Sequence, residues 1–398
     1  MTKVLGLDVS KSSVSCCLLL TRPTDPKQYY YECDFFKLEA TAAGIKKLLE
    51  LNPDVAVMDP TGVNYSRLWG TYLARAGIEV RLVGHKQLRS YRAGHLGLPD
   101  KDDDADALAL ACYCFDYLLE PRRFVQIRDA SIARIRQLVL RLAHLTRVQS
   151  PIINRLRQDL AWQFPEVALV KSVRSKTGEI PLLWGWLAGE RTSTRYEKLY
   201  AQTVGLGLTP AVTHHGASLC DLQREELSIE LELKSLIRLP QFNRYCRVFA
   251  RFGFGLRMQS LLLSQIYPFE NYLVDGKPDI KIRKGRKSGK PTKRHLSRRR
   301  FEKALGVAPT EESSGDSKRS RVVDGSSLCR MAFWQWVFTR IEPRNQRLKN
   351  EIGERLGEQL DAEKAAGRPI KLVRSRIASL AARLLFREFA KEFCSDNC

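Results

Sequence analysis

Four aspartates lie at positions in the chain where they could support metal-dependent chemistry. Asp8 ends the first apolar segment, in Gly-Leu-Asp-Val-Ser-Lys, and Asp59 ends a later one, in Val-Ala-Val-Met-Asp-Pro-Thr-Gly. Asp103 and Asp106 occur in Lys-Asp-Asp-Asp-Ala-Asp-Ala-Leu-Ala, and on a helix they share one face. Clustered carboxylates repel one another at neutral pH, and cations that prefer oxygen ligands relieve that repulsion. The pattern predicts a site for Mg²⁺ or Mn²⁺; two such ions about 3.5 to 4 Å apart can clamp a scissile phosphate.

Each aspartate also has a purely structural interpretation. Asp8 could lie in a turn, and Asp59 could form an Asx turn with the Pro-Thr-Gly that follows it. The aspartates at 102–106 could be an acidic cluster stabilised by a helix N-terminus. Taken together, and beside a strongly basic remainder of the chain, the four aspartates favour the metal site.

The segments that must position these aspartates predict an α/β domain that begins with a hairpin. Apolar alternation over residues 3–20, broken at 11–13, indicates a strand and its return, and a third strand is expected near 29–38. The next segments predict a helix at 41–51, a strand at 54–58, a helix at 65–76 and a strand at 79–83. An antiparallel start followed by β-α-β units is the outline of an RNase H-like fold.

The charge is distributed very unevenly. The net charge is +22, but residues 1–120 hold 14 basic and 16 acidic residues, so the positive excess lies after residue 120. Such an excess predicts a polyanionic partner or a membrane surface. No apolar stretch approaches the roughly 20 residues that span a bilayer, which excludes a transmembrane protein. The first residues do not read as an export signal, so a cytoplasmic location is expected.

Residues 281–300 carry the densest positive charge, with 11 basic residues and no acid. Glycines and a proline interrupt the segment, which predicts a flexible loop that becomes ordered on phosphates; the alternative is a loop that is merely solvated. The basic residues are Lys281, Arg283, Lys284, Arg286, Lys287, Lys290, Lys293, Arg294, Arg298, Arg299 and Arg300.

Helical periodicity dominates much of the remaining chain. Residues 127–160 read as a long amphipathic helix that Pro151 should kink or divide, and 219–237 read as a second helix. The two predict an antiparallel arm or a dimerising coiled coil, or else a helical hairpin within one chain. Residues 370–389 predict a further amphipathic helix. The ten cysteines lack zinc-site spacing, and we assign them no role.

The predicted segments divide the chain into four parts. They are an RNase H-like domain at 1–125, a helical arm at 126–240, a domain with the basic loop at 241–340, and C-terminal helices at 341–398. The fold class expected is therefore α/β at the N-terminus followed by a mostly α-helical remainder.

The chain resembles the transposases of the insertion sequence 110 family, relatives of the Piv invertase. The resemblance depends on Gly-Leu-Asp-Val-Ser-Lys, Met-Asp-Pro-Thr-Gly, the Asp-rich segment at 101–107, and Leu-Gly-Val-Ala-Pro followed by Ser-Ser-Gly. It implies a RuvC-like domain with four acidic metal ligands at Asp8, Asp59, Asp103 and Asp106. The second acid is usually Glu in the family and is Asp59 here.

The resemblance also implies a serine nucleophile in the C-terminal domain, at Ser314. From the residues alone, Ser314 lies in a Gly- and Ser-rich loop, and Lys318, Arg319 and Arg321 follow it as candidate phosphate contacts. The family relationship implies that the serine of one subunit joins the acidic site of another in a dimer or tetramer. It further implies DNA partners (element ends and target), a phosphoserine intermediate, a bridge RNA that reads sequence, and a cytoplasmic enzyme associated with the nucleoid.

Two other functions fit the same residues. A metal-dependent nuclease of the Holliday-junction type would use the four aspartates with water as the nucleophile and would not need Ser314. An inactive derivative would only bind nucleic acid through residues 281–300. The first predicts cleavage without a covalent protein–DNA adduct, and the second predicts no effect of replacing Asp8 or Asp103 with alanine.

Overall fold

The computed structural model describes residues 2–60, 62–99, 102–125, 129–175, 177–284, 290–314, 317–321 and 324–394, with only the backbone described at 62–64 and 310–321. The chain forms two compact units, Met1–Arg128 and Asp129–Cys398. The four-part division remains a prediction at its finer boundaries. Among the described helices, none is long and apolar enough to cross a membrane. Each described cysteine is a free thiol.

The first unit is built on a five-stranded mixed sheet in the order β3-β2-β1-β4-β5. The strands β1 to β3 are antiparallel neighbours, and β1, β4 and β5 are parallel neighbours, as an RNase H-like fold requires. The strands are β1 Val4–Val9, β2 Ser13–Leu19, β3 Phe36–Glu39, β4 Val55–Met58 and β5 Glu79–Leu82, and the helices are α1 Pro26–Glu32, α2 Ala42–Glu50, α3 Gly62–Arg75, α4 His85–Ser90 and α5 Asp103–Asp116. This confirms the predicted hairpin-first α/β order.

Side-chain alternation along β1 decides which helices face which residues. Leu5, Leu7 and Val9 are buried in one cluster with residues of α2 and α3. Val4 is buried on the other side, in a cluster with the apolar residues of α5. Because successive side chains of a strand point to opposite faces, Gly6 and Asp8 share the α5 side with Val4.

Gly6 allows α5 to pack directly on β1. A Cβ built at Gly6 would lie 2.0 Å from the carbonyl oxygen of Ala107 and 2.9 Å from the backbone nitrogen of Ala111. Only a residue without a side chain permits this approach. The N-terminal turn of α5, which begins at Asp103, is thereby held beside the end of β1 that carries Asp8.

Replacing Gly6 with alanine is therefore expected to destabilise the first unit by about 3 kcal/mol, because backbone atoms of α5 must move to admit one methyl group. Hydrogen–deuterium exchange of peptides from β1 and α5 measures the change. Gly94→Ala is a suitable control, since a Cβ there would meet nothing within 4 Å. Equal protection in Gly6→Ala and the parent protein would show that the close approach is not required.

The predicted third strand was wrong in its first half. Residues 26–32 form α1, and the strand begins only at Phe36. Asp25 caps the helix by accepting hydrogen bonds from the backbone amides of Lys27 and Gln28, and Pro26 occupies its first turn. This start signal outweighs the strand preference of the three consecutive tyrosines that follow.

The second unit is mostly helical. Its helices are α6 Ala130–Gln163, α7 Leu182–Leu187, α8 Thr194–Ala201, α9 Pro210–Leu236, α10 Asn243–Arg251, α11 Leu256–Ile266, α12 Leu296–Ala304, α13 Ser327–Trp336, α14 Glu351–Ala365 and α15 Ile370–Cys394. One hydrophobic cluster contains residues of α6, α9 and each helix from α10 to α15. A smaller cluster joins the far halves of α6 and α9 to α7 and α8.

The helices α6 and α9 pair antiparallel within one chain. Arg134 forms an ion pair with Glu232 at 2.5 Å, and Arg141 forms one with Glu225 at 2.5 Å, so the residue numbers run in opposite directions. The intramolecular helical hairpin is therefore present, and dimerisation through the arm stays a prediction. Pro151 does not divide α6, which is continuous through it. A single missing amide donor is tolerated in a helix of 34 residues whose flanking turns are packed on both sides.

The basic segment is a hairpin and a helix rather than the predicted loop. Strands β8 Ile280–Lys284 and β9 Pro291–His295 pair antiparallel, and α12 follows at once. Ile280 and Ile282 supply the alternation of a strand, which the many charges obscured. Arg286 and Lys287 lie outside the described residues. The remaining strands are β6 Leu273–Val274, β7 Lys277–Pro278, β10 Thr310–Ser314 and β11 Ser317–Arg321, which form two further two-stranded pairs.

Candidate active site and nucleic-acid interface

Asp8 and Asp59 are brought together by the register of neighbouring parallel strands. Leu7 of β1 pairs with Met58 of β4, so Asp8 and Asp59 are the next residues along the two strands. Asp59 is only 5% exposed, and its Oδ2 lies 2.8 Å from His85 Nδ1. The carboxyl ends of β1 and β4 thus supply the first two acids of the site.

The other two acids come from the first turn of α5. Asp102 caps this helix by accepting hydrogen bonds from the amides of Asp104 and Ala105, and Tyr30 Oη donates to Asp102 at 2.7 Å. Asp103 and Asp106 follow the cap on one face of the helix. Asp103 shares a hydrogen bond with Asp8. The structure therefore gathers all four predicted aspartates at one edge of the sheet.

Burial and the closeness of the four carboxyl groups change the pKa values of two of them. Burial, together with the negative charges of Asp59, Asp106 and Asp103, raises the pKa of Asp8 to about 7. Burial also raises the pKa of Asp106, although the nearby Arg92 opposes that increase. Carboxylates placed this close in a partly buried site are costly unless positive charge compensates them.

The oxygen atoms of the four carboxylates are suitable ligands for a divalent metal, but their present positions do not form a coordination site. The donor set is oxygen only, and Asp106 Oδ1 is buried without a hydrogen-bond partner. Against this, no group of three acidic, histidine or cysteine side chains among the described residues is already arranged around a common point. Side-chain rotation from their present partners would have to accompany metal binding.

Two partners of these aspartates, Arg92 and His85, were missed by the sequence analysis. The buried Arg92 places Nη1 2.6 Å from Asp106 Oδ2, and His85 pairs with Asp59 as described. Arg92 lies in a π-helical turn, Tyr91–His95, which continues α4, and such turns recur at functional sites. The signal in the sequence was weak: a helix beginning at His85 directly after the last strand of the sheet, the usual place for site residues in such folds.

The basic hairpin and α12 border a cationic groove of about 710 Å³ in the second unit. Its lining includes Lys281, Arg283, Lys293, Arg294, Arg298 and Arg299, which the sequence predicted, and Arg383 of α15, which it did not. The floor contains Glu302, 7% exposed, whose Oε1 lies 3.3 Å from Arg298 and 3.5 Å from Arg383. This carboxylate holds two guanidinium groups in place while the other cations face solvent. Lys284, Lys290 and Arg300 are exposed nearby on the same hairpin and helix.

Ser314 ends β10 and pairs with Ser317 across a second hairpin, so it does not lie in a loop of residues without regular structure. Lys318 and Arg319 belong to the opposite strand, in register with Ser313 and Glu312. Ala308 and Pro309, which precede β10, line the cationic groove. The hairpin that bears Ser314 therefore begins at the edge of that groove.

Two family comparisons match the two regions just described. Residues 5–165 match a transposase model of the DEDD type named for IS110, and residues 288–352 match the model of the transposase IS116/IS110/IS902 family. Together they cover more than half of the chain, including all four aspartates and Ser314. The chain belongs to the IS110 family of transposases. It is a DNA-cleaving enzyme.

Other comparisons add little to the IS110 assignment. The structure of RuvC from Thermus thermophilus matches 29% of this chain and 95% of its own length, with 14% identity and a TM-score of 0.21. A TM-score this low carries no argument, and the fold assignment depends on the strand order instead. No curated protein matches the chain.

Neutralising the cationic groove of this IS110-family transposase is expected to weaken binding of double-stranded DNA. Replacing Arg283, Lys293, Arg294 and Arg299 with glutamine removes four candidate phosphate contacts. Each contact contributes about 0.9 to the slope of log affinity against log salt, so the slope should decrease in magnitude by about 3 to 4. We expect about a hundredfold lower affinity at low salt, measured by fluorescence anisotropy.

A second quadruple variant controls for the change in net charge. Arg195, Lys198, Lys234 and Arg238 are exposed, lie in the same unit and do not line the groove. Their replacement by glutamine lowers the net charge equally and should leave the salt slope nearly unchanged. Equal loss of binding in both variants would mean that overall charge, rather than this groove, attracts DNA.

Proposed function

We propose that this transposase breaks and rejoins DNA through a covalent bond to Ser314, with Asp8, Asp59, Asp103 and Asp106 as ligands of Mg²⁺ or Mn²⁺. The observation that carries the proposal is the gathering of four aspartates, from β1, β4 and α5, at one edge of the sheet. Bound divalent cations would supply charge neutralisation at the phosphate that reacts.

In the proposed reaction, the Oγ of Ser314 attacks the phosphorus of one DNA strand. A bond from phosphorus to Oγ forms, the bond from phosphorus to one sugar oxygen breaks, and the serine proton is passed to the departing oxygen. A hydroxyl group from a different strand then reverses the reaction and completes the exchange. One phosphodiester bond is made for each one broken, so no external energy source is needed.

In this proposal the second unit binds DNA through its cationic groove, and the first unit supplies the four aspartates. The first 120 residues carry 16 acids against 14 bases, so attraction of the polyanion falls to the second unit. The cationic groove, at whose edge the Ser314 hairpin begins, would bind the phosphates of the DNA strand. Base pairing with a bridge RNA would then read the sequence, and two or four subunits would supply the acidic sites and serines.

A suicide DNA substrate tests the proposal. A nick placed next to the cleavage position lets the short fragment diffuse away, which traps any covalent intermediate. With Mg²⁺ and the guide RNA, we expect a protein–DNA adduct that survives denaturing electrophoresis, and we expect none with a chelator. Metal-dependent cleavage without an adduct would favour the alternative of a junction nuclease that uses water. Binding without cleavage would favour an inactive derivative.

A further inference from the structure

A cleft lined with aromatic and basic side chains belongs to the first unit. It has a volume of about 520 Å³, which is the size of a small-ligand site and too small for a duplex. It is bordered by residues of α4, the π-helical turn, the end of α5 and the segment after it. We propose that this cleft binds one or two unpaired nucleotides of the DNA strand that is cleaved.

The ring of His95 forms a platform at this cleft. It stacks on Tyr91 with ring centroids 4.9 Å apart and an interplanar angle of 25°. Tyr91 is buried beneath it, whereas the His95 side chain is 60% exposed. An exposed ring held flat by a buried ring is suited to stacking of a nucleic-acid base, because every base has a π face.

Tyr117 supplies a second ring in the lining of the cleft. Its centroid lies 4.7 Å from that of the buried Tyr113, and the Arg123 guanidinium lies 4.4 Å from its centre. Arg123 is half exposed and already pairs with Glu120 at 3.0 Å, so it can reach a phosphate by giving up a weak surface pair. Lys86 is exposed and also lines the cleft. Two rings and two cations in the lining of one cleft match the bases and phosphates of a single strand.

The helical segment 85–95 connects this cleft to the acidic site. His85 and Arg92 contact Asp59 and Asp106, while Lys86, Ser90 and His95 of the same segment line the cleft. One short segment thus contributes residues to both places, and in the proposal the nucleotides next to the phosphate at the aspartates enter the cleft. The inference rests on the proposed function for the identity of the strand, but the binding chemistry does not depend on Ser314.

Photochemical crosslinking of the full-length protein tests the inference. A single-stranded DNA 12-mer containing 5-iodo-deoxyuridine is irradiated with the protein in EDTA, and the crosslinked peptides are identified by mass spectrometry. We expect crosslinks within residues 85–95 or 113–123. His95→Ala combined with Tyr117→Ala should reduce that crosslinking about tenfold or more, since stacking on each ring contributes several-fold to binding.

Two controls keep the result interpretable. Tyr31→Ala combined with Tyr72→Ala removes two exposed tyrosines of the same unit that lie outside the cleft, and should leave the yield unchanged. His95→Phe retains a ring and should restore crosslinking relative to His95→Ala, which a misfolded variant would not permit.

Three outcomes would overturn the inference: crosslinks confined to 280–300, equal yield from the double variant, or crosslinking at the cleft by RNA of the same sequence but not by DNA. Since EDTA prevents metal-dependent cleavage, the assay reports binding alone. Loss of the covalent adduct with the cleft crosslinks intact would count against the proposed function only.

Discussion

Replacing Ser314 with alanine is expected to abolish the covalent protein–DNA adduct and strand exchange. The substitution removes the only atom of that residue that can form a bond to phosphorus, and no rearrangement of neighbouring groups replaces a covalent nucleophile. Because Ser314 ends a strand of a paired hairpin, loss of its hydroxyl should leave the hairpin backbone in place. The adduct on the suicide substrate is the measurement, with DNA affinity followed by anisotropy.

The same hairpin offers matched controls for Ser314. Ser313 precedes it on β10, and Ser317 is its register partner on β11. Alanine at either position should preserve the adduct, and DNA affinity should change less than twofold in all three variants. If Ser314→Ala forms as much adduct as the parent protein, another residue is the nucleophile; if only cleavage without adduct persists, water is.

Asp8→Asn is expected to reduce strand cleavage by at least about a thousandfold. Asp8 lies among the other three acids, with burial and all three charges acting on its carboxyl group. An amide of the same size cannot neutralise a divalent cation, and metal sites contribute several kcal/mol to transition-state stabilisation, of which about 4 kcal/mol corresponds to a thousandfold. Single-turnover cleavage at saturating Mg²⁺ measures the change.

The unfolding temperature of Asp8→Asn distinguishes a loss of catalysis from a loss of folded structure. Asp8→Asn removes one of four mutually repelling charges, so the metal-free protein should unfold at the same or a higher temperature than the parent. Asp104→Asn is the matched control. Asp104 lies in the same first turn of α5 as Asp103 and Asp106. The groups that act on its carboxyl group include Asp102, Ser15 and Lys37 but not Asp8. Nearly full cleavage by Asp8→Asn would exclude Asp8 from the reaction.

The strands that carry Asp8 and Asp59 could be predicted because local patterns decide them. Apolar residues flank each aspartate. Because β2 is antiparallel to both β1 and β3, β3 runs in the direction of β1, and the crossover through α2 then makes β4 parallel to β1. The spacing of Asp103 and Asp106 placed them on one face of a helix, and the structure has that helix. These parts of the site depend on residues that are close together in the sequence.

The contacts of Arg92 and His85 could not be predicted in the same way. Arg92 reaches Asp106 because a π-helical turn changes the direction in which its side chain points, and no residue pattern specifies that turn. The hairpin at 280–295 was obscured for a different reason. Its strands carry charge on both faces, so the alternation that identifies a half-buried strand was absent except at Ile280 and Ile282.

The large cluster of the second unit also sets an order of events during synthesis. Ile132 of α6 is buried in the same cluster as Phe389 of α15, so that core cannot close before nearly the whole unit has left the ribosome. The first unit contains its own two apolar layers and can fold well before then. A newly made chain would thus have its acids assembled while the groove and the serine hairpin were still incomplete. Chains that terminate early would be unable to attack DNA through Ser314, which would limit stray strand breaks by unfinished protein.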